Sequence, residues 1–401
     1  MKNIKFKYIL LGTLYFTQNL PVTFFSMTFP VILRKEGFGL EQIGNSYMIL
    51  FPWMLKFLWA PIVDRYGSKL LGHYRGWLIF LQIALTLSCF FLSYLNPVTQ
   101  YNTTFLLALI ISIASSTQDI ATDATAVKIL DYSERSIGNG LQSMMGFIGY
   151  FIGGGLLLMA YNLLQWKGCL MVMSVCFAIS LVVVFIYKEK EQKNVTRKKL
   201  HFLHIKEFVT RKGMFRWTIL LMLAYAGISI GSGILPTILV DIEWNEMKIA
   251  FSTAAIGGVL GAVSAILAGI RMQKISRKRA LVMSCLIQAL LLTGLFIPVL
   301  GIQKDLFIMV AIGVIFIGQG LLSTAVATAM MDYCKPGTEG SDYTLQDCMG
   351  NFGSFTMMVA AMYIAGRFGY AVTIIASIFL GLLSCALFYK LYDNRTGDAY
   401  N

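Results

Sequence analysis

Apolar residues in this chain come in long runs broken by short polar stretches, and the length of the runs is the first structural signal. About 20 apolar residues wound as an α-helix span the hydrocarbon core of a bilayer. Twelve runs of that order can be marked, at 8–33, 41–62, 76–95, 104–128, 138–161, 168–187, 215–240, 249–270, 280–300, 306–330, 342–365 and 370–390. Pro21, Pro30, Pro52, Pro236 and Pro298 lie in or at the ends of these runs, where membrane helices tolerate them better than soluble ones do. The pattern predicts an all-α membrane protein with twelve transmembrane helices. The first run is too long for a cleavable signal peptide and lacks a small-residue cleavage site, so a retained helix is expected.

One long polar segment, 188–214, separates six runs from six. It divides the chain into an N-terminal six-helix bundle (1–187), a linker (188–214) expected to lie along the cytoplasmic membrane surface, and a C-terminal bundle (215–401). Composition agrees with membrane residence. Hydrophobic residues make up 57% of the chain and charged residues 13%, whereas about a quarter of a soluble protein is charged. The net charge of +13 points to no nucleic-acid partner, because of how it is distributed. With the N-terminus inside, only Arg34, Lys35, Lys167, Lys248, Lys304 and Arg367 fall on the outer side and Lys56 falls within a span. The other basic residues are cytoplasmic, as the positive-inside rule requires, and both termini are expected there too. The cysteines show no paired framework or CxxC spacing, and three histidines are too few for a metal site. Neither a metal nor another cofactor is expected.

Two carboxylates interrupt the fourth run. Asp119 and Asp123, in QDIATDA (118–124), lie four residues apart and so share a helix face, about 6 Å apart along its axis. Asp119 falls about 13 Å from the cytoplasmic end of the span and Asp123 about 7–8 Å. Charges at such depth are costly and usually face a cavity, a partner or a proton path. A carboxylate removed from water is suited to exchange a proton near neutral pH. Asp119 is therefore the expected proton-coupling group, with Gln118 and Asp123 as polar partners; a permanent hydrogen-bonded network that only stabilises the fold is the alternative. Tyr15, Gln18 and Asn19 on the first span could contact substrate through hydroxyl and amide groups.

The two halves carry traces of a repeat. Gln118 corresponds to Gln319, and Asp131-Tyr132 to Asp332-Tyr333 at the same offset. With a slightly longer second loop, Leu141-Gln142 matches Leu345-Gln346, and Gly146 and Gly149 match Gly350 and Gly353. PVIL (30–33) echoes PTIL (236–239). Together these argue for a 6+6 duplication, the architecture of the major facilitator transporters. APIVDRYGSK (60–69) resembles the facilitator signature G-x-x-x-D-R-x-G-R-R, with Ala60 for the first Gly and Ser68-Lys69 for the paired Arg. The resemblance implies two pseudo-symmetric six-helix bundles around a central cavity. It also implies that Asp64 and Arg65 help hold the cytoplasmic side closed. The matching loop GIRMQKISRKR (269–279) has no Asp, and a positive-inside anchor explains it. In the facilitator arrangement spans 2 and 11 face each other across the domain boundary, so Lys56, about 9 Å above the end of span 2, is expected to act in gating, pairing with Asp347 when the cytoplasmic side is closed and separating from it when that side opens. A Lys56–Asp123 pair and simple snorkelling of Lys56 are the alternatives. Gln142 and Gln346 at matching positions, with Gln319 and Tyr343, are expected to line the cavity or to bond helix to helix.

Within the facilitators, KFLWAPIVDR (56–65) followed by QDIATDA resembles the AmpG-related permeases, which include muropeptide importers, siderophore importers of the rhizobactin/pyochelin type and acetyl-CoA transporters. Twelve spans with a short tail, and GSDYTLQD (340–347), which resembles the G-T-D-Y/F-T-x-Q type of the siderophore importers with Ser341 for Thr, favour a siderophore over a muropeptide. The resemblance implies a monomeric secondary transporter, a proton symporter importing a large polar solute across a bacterial inner membrane. A proton-coupled exporter is the competing transport reading. A membrane-embedded enzyme or receptor is disfavoured, because no histidine lies within a span and no nucleotide-binding motif is present.

Overall fold

The computed structural model describes residues 2–68, 70–189, 204–302 and 304–392. Residues 190–203 of the expected linker, and Lys69 of the loop motif, lie outside them. In chain order the helices are α1 Lys2–Thr23, α2 Phe29–Lys35, α3 Leu40–Ser46, α4 Phe51–Leu55, α5 Ala60–Arg65, α6 His73–Leu92, α7 Tyr101–Ile129, α8 Arg135–Gly149, α9 Leu157–Met159 and α10 Tyr161–Ile186. There follow α11 His204–Thr210, α12 Met214–Asp241, α13 Glu246–Ala250, α14 Gly258–Met272, α15 Arg277–Leu291, α16 Phe296–Val299, α17 Asp305–Asp332 and α18 Glu339–Leu391.

Nine stretches among the described residues are long and apolar enough to cross a membrane. One of them holds two of the twelve expected runs, and the first two expected runs are not among the nine. The 53-residue α18 is interrupted at Gly369, whose φ of 81° suits a residue without a Cβ, and so contains both expected spans 342–365 and 370–390. The expected spans 8–33 and 41–62 are both broken. A π-helical turn, Phe24–Thr28, follows Pro21 and separates α1 from α2. The 3-10 turns Tyr47–Leu50 and Lys56–Leu58 separate α3, α4 and α5, with Pro52 and Pro61 in the first turns of the last two. Proline removes a backbone donor, which makes such breaks expected at these points.

Packing groups the described residues into two compact units, one drawn from Met1–Ile129, Ile148–Phe202 and Cys334–Thr344, the other from Leu130–Phe147, Leu203–Tyr333 and Leu345–Asn401. Most of α8 thus packs with the second unit, and the first turn of α18 with the first. Arg135 and Glu339, which begin these two helices, keep the same offset as the repeated pair Leu141 and Leu345.

In the first unit α6 packs against α7 and α10, and α1 against the same two helices. The face of α6 bearing Leu78, Leu85, Cys89 and Leu92 is buried, while Phe80, Leu87 and Phe91 on the other face are exposed. A helix apolar all round, with one face outward, is what a lipid surround requires. The π turn of α1 directs Phe24 and Phe25 inward; Phe24 and Phe29 pack on Trp166, with ring centroids 6.0 and 5.6 Å away. A second π turn, Tyr150–Leu156, lies against it. Thr23 donates its hydroxyl to the Gly149 carbonyl (3.0 Å) and Thr28 to that of Gly153 (2.8 Å). In the second unit α14 and α15 pack on α17. Close approach is set by glycine: a Cβ on Gly140 would stand 2.8 Å from the Ala265 carbonyl, and one on Gly269 2.5 Å from that of Ser136.

Candidate functional site

The polar residues of the first unit converge on α7. The tightened turn Lys56–Leu58 aims Lys56 into the bundle, where it is 1% exposed. Its ammonium forms an ion pair with Asp119 and lies 5.1 Å from the centre of the Trp53 ring. Asp119 also accepts from Gln18 Nε2 (2.7 Å), and Asp123 accepts from the Tyr15 hydroxyl (3.1 Å). Gln118 Nε2 donates to Leu14 O and to Thr17 Oγ1, each at 3.3 Å, and Gln82 Nε2 reaches Thr17 Oγ1 and Ser180 Oγ, each at 3.2 Å. Asn19 Nδ2 returns to Tyr15 O of its own helix (2.8 Å). Trp53 and Trp59 donate to Ser115 and Thr117 on α7. Each buried charge is thus met by an opposite charge or by donors, as burial demands.

Sequence reasoning offered Asp347 or Asp123 as partners for Lys56; the ion pair with Asp119 adds a third carboxylate to them. Snorkelling does not describe a lysine this deeply enclosed. Tyr15 and Gln18, expected to meet substrate, bind the two carboxylates. Gln82 and Thr17 were missed altogether, since an isolated Gln or Thr in an apolar run carries no pattern.

At the end of α5, Asp64 is buried and accepts from Gly340 N (3.0 Å), Ser341 N (2.7 Å) and Ser341 Oγ (2.6 Å). It therefore caps the first turn of α18, where unpaired N–H groups and the helix dipole favour a carboxylate. The Tyr74 hydroxyl lies 2.8 Å from Asp64 Oδ1 and 3.2 Å from Glu339 Oε2, so a single hydroxyl donor faces both carboxyl groups. Burial pushes Asp64 up to about 6; the bonds from Ser341 and Tyr74 pull the other way, and the charge of Glu339 adds to the rise. Arg65, by contrast, is exposed, with its guanidinium over the adjacent Tyr66 ring. Lys128 at the end of α7 pairs with Glu189 at 2.7 Å. Tyr343 is buried in the same unit.

In the second unit Asp332, at the end of α17, binds two arginines at 2.8 Å each: Arg135 Nη1 and Arg277 Nε. Arg277 also donates to Tyr132 O (2.8 Å) and is 6% exposed. The loop before α15 is therefore more than a solvated anchor. Its missing acid is supplied by α17, and the only sequence trace of this was the repeated Asp-Tyr pair. Gln319, Gln346 and Asp347 line a cavity of about 290 Å³ together with Tyr225, Ser229, Ser232 and Asn351. Gln346 is engaged on both sides, accepting from Trp217 Nε1 (2.6 Å) and donating to Met330 O (3.2 Å), while Gln142 is half-buried on α8.

Paired charges within helical bundles, helix breaks at mid-span and a capped loop signature are the parts of a solute carrier. A sequence model of the Major Facilitator Superfamily matches residues 11–356, and the chain belongs to that family. It is a membrane-spanning secondary transporter, not an enzyme. The anhydromuropeptide permease of Escherichia coli (strain K12) is 26% identical over 346 residues, covering 84% of this chain and 70% of the permease. An uncharacterized protein of Haemophilus influenzae is 28% identical over 373 residues, covering 88% of this chain and 87% of its own. Among solved structures, the facilitator FucP in the outward conformation shares the fold with a TM-score of 0.71 at 12% identity, covering 96% of this chain and 97% of that one.

Proposed function

We propose that this facilitator imports a muropeptide-like solute across the bacterial inner membrane, driven by protons, with both termini cytoplasmic. The observation that carries the reading is the similarity to the E. coli anhydromuropeptide permease across most of both chains. It takes precedence over the siderophore reading, which rested on span number and on GSDYTLQD. In the structure the start of that segment is the turn capped by Asp64, a structural use that says nothing about cargo.

Asp119 is the proposed proton carrier. In the ion-paired form its carboxylate holds Lys56 and Gln18. A proton on Asp119 would replace the charge that Lys56 now meets and release the ammonium, a discrete two-state change of the kind that rocking bundles need. Tyr15 holds Asp123 in place beside it. The moving bodies are the six-helix halves 1–187 and 215–401, joined by the linker, in a monomer.

The test is expression in a bacterium lacking its own anhydromuropeptide permease, which loses muropeptides to the medium. The expected result is that the wild-type chain restores their recovery and Asp119→Asn does not. Growth on a ferric siderophore without any muropeptide recovery would reverse the choice of cargo.

A further inference from the structure

Three buried glutamines of the first unit share one property. In Gln18, Gln82 and Gln118 the amide nitrogen is bonded, while no protein donor among the described residues reaches the carbonyl oxygen. Turning the amides over does not cure this. Gln18 Nε2 faces the Asp119 carboxylate and Gln118 Nε2 the Leu14 carbonyl, so a reversed amide would set oxygen against oxygen. Gln82 Nε2 meets Thr17 Oγ1, whose own proton is directed to the backbone carbonyls of Thr13 (2.9 Å) and Leu14 (3.1 Å). The three lie in one neighbourhood. Gln82 and Gln118 both bond the Thr17 hydroxyl, Thr17 and Gln18 are successive on α1, and Gln118 and Asp119 are successive on α7. A buried acceptor without a donor is costly, and this polar cluster is short of donors alone. A large solute does not supply them, because Gln82 and Gln118 are 0% exposed. A metal cation would be repelled by the Lys56 ammonium that Asp119 already holds. Water brings donors without charge, and buried water collects where several polar groups converge.

We infer that Gln18, Gln82 and Gln118 hold ordered water beside Asp119, and that this water delivers its proton. A hydronium ion reaching the chain gives a proton to a carboxylate oxygen of Asp119 and is left as water. The amide carbonyls only accept hydrogen bonds and are never protonated, so they orient the water and do not themselves relay the proton. The three glutamines are thus positioning residues. The delivery step rests on Asp119 as the proton carrier proposed above; the water site itself is testable without it.

The experiment records infrared difference spectra of the full chain in nanodiscs after a drop in pH, in ordinary and in heavy-oxygen water, for the wild type, Gln82→Leu, Gln118→Leu and Asp119→Asn. Bands of bound water are those that move with the oxygen isotope. The wild type is expected to show them, and both leucine variants to lose them while still melting cooperatively. Should a leucine variant fail to fold, Gln82→Met or Gln118→Met, which keep an unbranched side chain, takes its place. The carboxyl band of Asp119 should rise at least tenfold more slowly in Gln82→Leu yet reach the wild-type height, a split of rate from extent that a merely structural role would not produce. No isotope-sensitive band in the wild type, or bands unchanged in both glutamine variants, overturns the water site. An unchanged rate overturns its part in delivery. Water bands that depend on the glutamines, without any carboxyl band that Asp119→Asn removes, contradict Asp119 as the proton carrier and uphold the water site.

Discussion

Lys56 and Asp119 are taken out of water together, and each makes the other's burial tolerable. Removing one partner leaves an uncompensated charge, which in such settings costs about 3–5 kcal/mol. Lys56→Met and Asp119→Asn should therefore each lower the melting temperature of the purified protein. The double variant should recover most of that loss without recovering transport. Equal stability of all four proteins would mean that the pair contributes nothing to the fold. Asp64 makes a prediction about pH. Its folded value of about 6 lies above the ordinary carboxylate value. The stability it contributes is thus fully present below the unfolded value and is lost as pH rises through about 6. The stability of the wild type relative to Asp64→Asn should be greatest near pH 4 and fall to a plateau above 6; a difference that is flat across that range would refute it.

Among the elements, the breaks matter as much as the helices. Two π turns in the first unit face each other, and threonine hydroxyls cross to the glycine carbonyls between them. Thr28→Val deletes one such bond and should cost about 0.5–1.5 kcal/mol. The α8–α14 crossing depends on Gly269, where any Cβ meets the Ser136 carbonyl. Gly269→Leu should destabilise the protein by about 1–3 kcal/mol. Leu267→Ala on the exposed face of α14 serves as the comparison and should change the melting temperature little. The helices were legible in the sequence because bilayer thickness imposes a length on every apolar run. The breaks were only half legible: prolines mark where a ladder bond is missing, but whether the chain tightens or widens there depends on the neighbouring helix. The Lys56–Asp119 pair was not among those read from the sequence, which does not give the rotation of a 3-10 turn. The Asp64 loop was legible as a motif, whereas Asp332 was not, because its arginines come from two distant elements.

For the whole molecule, the proposed orientation with both termini cytoplasmic rests on the distribution of basic residues. A green fluorescent protein fused after the last residue should fluoresce, since it matures only on the cytoplasmic side, whereas a fused periplasmic alkaline phosphatase should be inactive. The reverse outcome would invert the depth assigned to Asp119 and the side to which Asp64 belongs. The central claim, that a proton held at Asp119 drives a muropeptide-like cargo inward, meets its most direct test in proteoliposomes. Radiolabelled anhydromuropeptide uptake would be followed under an imposed pH gradient, acid outside. Accumulation by the wild type that collapses with the gradient and is absent in Asp119→Asn is the predicted result. Gradient-driven accumulation at the wild-type level in Asp119→Asn, or none in the wild type, would contradict it.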